Sequence, residues 1–225
     1  MTITANQNVA AVSFSSATSQ TANFGACSNP SLLVAIGSMD HVSTTMTVSD
    51  SVNGSYTQDG FLNGGNGAAG GGSVGIFSVQ NTTPSTKVVT ITLGASTDGF
   101  LKILELLGAV TSSAKDTSAT VNVTSGLGAA FSLPFTTGTD NCAAFMVSTH
   151  YPAGAAADTG YTLGMAETGA LNAYHISEFD LDVGAAGLNT LTLNGYTSTS
   201  NHTGLVVAYK NNPPGNAVGP MFMGV

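Results

Sequence analysis

Thr190-Leu191-Thr192-Leu193-Asn194, with Val121-Asn122-Val123-Thr124 before it, alternates an apolar side chain with a small polar one at every step. That period of two puts the apolar groups on one face of an extended chain and the polar groups on the other, as a half-buried β-strand requires. Outward from these two stretches the same reading repeats. Short segments rich in Val, Ile, Thr and Phe, bounded by Gly, Asn, Asp or Pro, predict strands over residues 10–14, 31–37, 44–49, 74–79, 87–93, 101–107, 119–124, 129–135, 142–149, 162–166, 174–181, 190–196 and 204–209. Strands of this length and spacing predict an all-β chain, a two-sheet β-sandwich with helix confined to a turn or two.

Composition narrows what such a chain does. It has 225 residues, no arginine, four lysines (Lys87, Lys102, Lys115, Lys210) and twelve carboxylates, for a net charge of −8. Charged residues make up 7%, against about 25% in an ordinary soluble domain. A free globule keeps itself in solution with a charged surface of mixed sign. This composition therefore points to a subunit whose surface is covered in an assembly. Nucleic acid is excluded as a partner, because phosphate neutralisation needs clustered Lys and Arg. No apolar run reaches the roughly 18 residues that span a bilayer. The first eleven residues lack a basic n-region and an apolar h-region, so the expectation is a chain without a signal peptide that folds in a cytoplasm.

Two segments fall outside the strand pattern. Residues 60–75 are crowded with glycine and read as a flexible loop. No Lys-Ser/Thr follows to make it a phosphate cradle. The C-terminal stretch carries Pro213 and Pro214, which cannot continue a sheet, and then Met221, Phe222, Met223 and Val225. An apolar terminus needs a receiving surface, so these six residues are the candidate interface, on an arm expected to dock on a neighbouring subunit, with docking back on its own domain as the alternative. The expected division is an N-terminal arm and first strand over 1–30, a sandwich over 31–210 and a C-terminal arm over 211–225.

The chemistry-bearing residues are sparse. Cys27 and Cys142 lie outside any metal-ligand spacing and read as small buried thiols. His41, His150, His175 and His202 are scattered. Glu178, Asp180 and Asp182 alternate, so along one strand they would project from one face; they are weak candidates for a calcium site, with a solvated acidic stripe as the plainer reading. No metal or other cofactor is expected. Asn53-Gly54 suits a type I′ hairpin turn. Glu105, inside Ile103-Leu104-Glu105-Leu106-Leu107, must, if buried, find a partner or remain protonated. No Gly-x-Ser-x-Gly elbow occurs, and the chain is read as no enzyme. A glycosidase would need two facing carboxylates; Asp40, Glu105, Glu167 and Glu178 are the candidates, with nothing in the sequence to choose among them. A sugar platform would draw on Tyr56, Tyr151 and Tyr161.

The order Thr47-Val48-Ser49-Asp50-Ser51-Val52-Asn53-Gly54-Ser55-Tyr56, Gly75-Ile76-Phe77, Val89-Thr90-Ile91-Thr92 and Ile103-Leu104-Glu105-Leu106-Leu107-Gly108 resembles a jelly-roll module of bacterial surface proteins and tailed-phage structural proteins. Cys142 to Thr149 and Leu205-Val206-Val207-Ala208-Tyr209 are similar to its interior and final strands. The chain lacks that module's usual Trp and adds an apolar tail. The resemblance implies a jelly-roll-like sandwich with extended N- and C-terminal arms, and a non-enzymatic virion component made in the host cytoplasm. Its implied role is a capsid decoration (cement) protein on the capsid surface, trimeric and bound to the major capsid protein. The alternative it implies is a tail-fibre or spike domain that binds a host receptor or glycan.

Overall fold

Every residue of Ser31–Met39 (β2) is buried, so this strand has no solvent face and must lie between two layers. The computed structural model describes residues 2–40, 45–64, 72–123, 130–150, 156–157, 162–168, 174–194 and 202–212. These form fifteen strands and no helix, and no helix among them is long and apolar enough to cross a membrane. All pairings are antiparallel. The chain is an all-β, sandwich-like protein.

The first sheet has seven strands. Gly54–Ser55 (β4), Met46–Asp50 (β3), Lys87–Leu107 (β7), β2, Ser73–Asn81 (β6) and Thr57–Asn63 (β5) follow one another, and Thr4–Phe24 (β1) lies along β7. Only Tyr56 separates β4 from β5, and its amide donates to the Val48 carbonyl at 2.9 Å. The two ends of the sheet therefore nearly meet. Leu33, Ala35, Met46, Val48, Phe77, Val89, Ile91, Leu101 and Ile103 form the core that this curl encloses. Close approach across it explains Gly37: a Cβ there would lie 2.5 Å from the Met46 sulfur.

The second sheet orders Thr162–Thr168 (β12), Tyr174–Asp180 (β13), Ala143–His150 (β10), His202–Tyr209 (β15) and Lys115–Val123 (β8). Its inner face meets β2, β6 and β7 through Leu32, Val34, Ile76, Leu104, Phe145, Val207 and Tyr209. Phe145 stacks on Phe179 and meets Tyr209 edge-on, with centroids 5.6 and 5.8 Å away. Its outer face is covered by a three-stranded sheet of Ala156–Ala157 (β11), Gly187–Asn194 (β14) and Ala130–Thr137 (β9), through Leu133, Phe135, Met146, Leu191 and Val206. A third layer thus backs the sandwich. It is why β10 and β15 carry nearly continuous apolar runs, whereas β14 alternates.

Four local expectations change. The strands expected at 87–93 and 101–107 are two halves of β7. Its partner β1, expected only over 10–14, carries the pairing across Gly94–Asp98 by shifting register between Phe14 and Ser19. The glycine-rich stretch hides a strand: β5 runs to Asn63 and β6 starts at Ser73, and residues 65–71 lie outside the described set. Gly60 fits there because a Cβ would meet Leu205 at 2.6 Å. Asn53-Gly54 does not form a type I′ turn. Gly54 alone takes a positive φ, 78°, while the Asp50 carboxylate accepts from the amides of Val52 and Asn53 at 2.6 and 2.5 Å. That bonding closes the loop between Asp50 and its partner Gly54 from the Asp50 side chain, an Asx-type turn.

Candidate assembly edge and the polar clusters behind it

Strand β1 pairs on one side with β7 and, among the described residues, with no strand on the other. Its 21 residues contain no charged side chain. Thr4, Asn6, Asn8, Ser13, Thr18, Ser19, Thr21 and Asn23 are exposed, while Phe14, Ala22 and Phe24 point into the core. An edge strand offers a row of free N–H and C=O groups, and natural proteins usually guard such a row with lysine, proline or bulges. Here the register shifts at four places, and lysine and proline are missing.

This edge is pinned from behind by Glu105. That residue is completely buried. Oε2 accepts from Asn6 Nδ2 at 2.7 Å and from Gln7 Nε2 at 3.1 Å, and Oε1 accepts from the amide of Ser28. Gln7 Nε2 also donates to the Ala26 carbonyl at 2.6 Å. One carboxylate on β7 thereby fixes both β1 and the turn after it. The need for a partner, legible in the sequence, is met by amides rather than by a cation.

A second polar group closes the same end of the curl. Asp50 receives the Tyr56 hydroxyl at 3.0 Å and Asn53 Nδ2 at 2.8 Å. Burial, then the Asp50 charge, pushes the Tyr56 hydroxyl far above its ordinary range, so it stays a donor. Lys87, 2% exposed, gives its ammonium to the carbonyls of Thr83 and Ser85, both at 3.0 Å. Burial raises the Cys27 thiol against the opposing pull of the Lys87 ammonium. Each charged group here already has its partners. The arrangement holds the loops at this end of the curl together.

The residues expected to carry function fare differently. Tyr56 is buried, so it is removed from any sugar platform; its hydroxyl is needed by Asp50. Tyr151 and Tyr161 lie outside the described residues, as do His41 and the arm residues Pro213, Pro214, Met221, Phe222, Met223 and Val225. Glu178 and Asp180 belong to β13, but the strand ends at Asp180. Asp182 lies beyond it in a turn, its amide donating to Asp180 Oδ1 at 3.0 Å and its own Oδ1 accepting from Gly184 N at 3.1 Å. Burial raises the Asp180 carboxyl, opposed by that amide. Among the described residues no group of three His, Cys, Asp or Glu is placed to hold a metal ion. The register sets His150 directly opposite His202, and His175 opposite both Thr149 and Glu167, a convergence that the sequence spacing does not reveal.

Nor do Asp40 and Glu105 face each other. The Asp40 amide bonds the Asp98 carbonyl, and the strand from residue 98 to 105 separates them by about 23 Å at roughly 3.3 Å per residue. A glycosidase pair stands about 5–9.5 Å apart. Cys27 and Cys142 are both buried and free, in different core clusters. The residues that sequence reasoning passed over are Asp50 and Lys87: as single polar residues in β-rich sequence they carry no signal until the fold buries them. Compared with protein-family models and with curated proteins, the chain matches none.

Proposed function

We propose that this protein is a non-enzymatic assembly subunit, and specifically a virion structural protein of the capsid-decoration type that staples neighbouring capsid subunits as a trimer. The observation that carries the reading is β1: a 21-residue, uncharged outer edge whose start is pinned by Glu105 through Asn6 and Gln7. Four register shifts interrupt this edge, and the regular stretches between them still offer free N–H and C=O groups, for which symmetric closure between copies supplies a cover. The 7% charge content and the exposed Thr, Asn and Ser face agree with burial against protein. The proline-bearing, apolar C-terminal segment supplies the second contact, to the major capsid protein. Binding only the assembled shell would stabilise it by linkage.

The test is the native mass in solution, followed by sedimentation with undecorated capsid shells. A trimer that saturates shells and raises their disruption temperature is the expected result. Ser13→Lys with Thr21→Lys places charge on the exposed face of β1 and should abolish oligomerisation with the fold intact; removal of residues 217–225 should abolish shell binding alone. A wild-type monomer that ignores shells overturns the reading.

A further inference from the structure

A pocket of about 470 Å³ opens where the first and second sheets meet, with Gln58, Asp59, Gln80 and Lys115 among its polar lining and Leu32, Val79 and Ala114 as its apolar lining. Its construction starts in β5. The register shifts between Gln58 and Gly60, so Asp59 is the extra residue of a β-bulge, a device that re-aims a side chain. Asp59 is 6% exposed. Its Oδ2 accepts the hydroxyl of Tyr209 at 2.7 Å, and among the described residues nothing donates to Oδ1. Tyr209 is completely buried, and burial together with the Asp59 charge keeps its hydroxyl protonated. Lys115 is held at the rim, its Nζ on the Asp59 carbonyl at 3.0 Å. Ser113, on the facing segment, takes a φ of 51°, a left-handed conformation uncommon outside glycine.

The volume falls within the roughly 300–1,000 Å³ of small-molecule sites, and the walls select by chemistry. A wholly apolar ligand would suit Leu32, Val79 and Ala114 but strip water from a carboxylate, an ammonium, two amides and hydroxyls without replacing their bonds, whereas a sugar ring offers both an apolar face and hydroxyls. An anion would meet Asp59 in a chain of net charge −8; a cation would meet Lys115. A neutral ligand dense in hydroxyls satisfies all of them, donating to Asp59 and accepting from Lys115 and the Gln amides.

We infer that this pocket binds a neutral saccharide, through Asp59, Lys115, Gln58 and Gln80. The pocket shares no lining residue with β1, and its test reads sugar retention rather than oligomerisation, so it stands or falls independently of the assembly reading. The full chain would be applied to an array of neutral and of uronic-acid-bearing oligosaccharides, with retained sugars titrated by calorimetry. Retention of neutral members, weakened at least tenfold in a Gln58→Ala, Gln80→Ala, Lys115→Met variant of unchanged circular dichroism, is expected. Because all three substituted residues lie at the exposed rim, the test does not depend on the folding of Asp59→Asn. No neutral sugar retained at millimolar concentration, a preference for acidic sugars, or retention indifferent to the triple variant overturns it.

Discussion

Replacing Glu105 tests whether one carboxylate holds the N-terminal edge. Glu105→Ala leaves the Ser28 amide, Asn6 Nδ2 and Gln7 Nε2 without their acceptor. A hydrogen bond to a charged group contributes about 1.5–3 kcal/mol, and a stranded buried donor costs about 1–3. Asn6 is exposed and Gln7 half-exposed, so each recovers water and loses about 1 kcal/mol, while the Ser28 bond is lost at about 2. The sum is about 4 kcal/mol. Glu105→Gln retains one acceptor oxygen but turns an NH₂ toward a donor whichever way the amide is set, for about 2 kcal/mol. In a chain of this size, about 2–4 °C per kcal/mol places the melting point of Glu105→Ala roughly 10 °C low. Urea unfolding measures the free energy, and amide exchange locates it: protection should fall first in Thr4–Val9 and at Ser28, and persist in β10 and β15. A loss below about 0.5 kcal/mol for Glu105→Ala, or a loss of protection spread evenly over all sheets, would refute the reasoning.

Other outcomes follow from buried titrating groups. Lys102 is 4% exposed beside Ile36, and burial lowers the affinity of its amine for a proton; native-state stability should therefore rise as pH climbs from its folded pKa toward the unfolded value near 10.4, and Lys102→Met should remove that rise and add about 1 kcal/mol at pH 7, read from urea midpoints. Tyr56 and Tyr209 are pushed the other way, so above the unfolded value near 10 the native state keeps protons that the unfolded state has lost, and stability must fall with further alkalinity. Two of the six tyrosines should accordingly fail to give tyrosinate absorbance until the protein unfolds; full ionisation of a folded sample at pH 11 would contradict the burial. Cys27 and Cys142 are buried with raised pKa values, and at pH 8 their reaction with a disulfide reagent should run at least about a hundredfold slower than in denaturant; equal rates would show that the core opens freely. Gly37→Val puts a branched side chain against Met46 and Ile91 and should cost about 3 kcal/mol from overpacking, where Val52→Ala, at an exposed position, should stay within about 0.5.

The amino-acid sequence by itself determined the all-β class, the position of most strands and the burial of both cysteines. Those features rest on local properties: side-chain period, β-branching, and the breakers between runs. Leu191-Thr192-Leu193-Asn194 reads as a strand in isolation and lies in β14, with Leu191 buried. The tertiary structure alone decided that β1 and β7 run side by side for 21 residues, that a third sheet covers β10 and β15, and that Tyr56, Asp59, Lys87 and Glu105 leave solvent. Asp59 and Tyr209 lie 150 residues apart in the chain, Asn6 and Glu105 99. A buried polar side chain looks in sequence like any surface one, because its environment is supplied by strands that pairing brings in from elsewhere, and only packing tells the two apart.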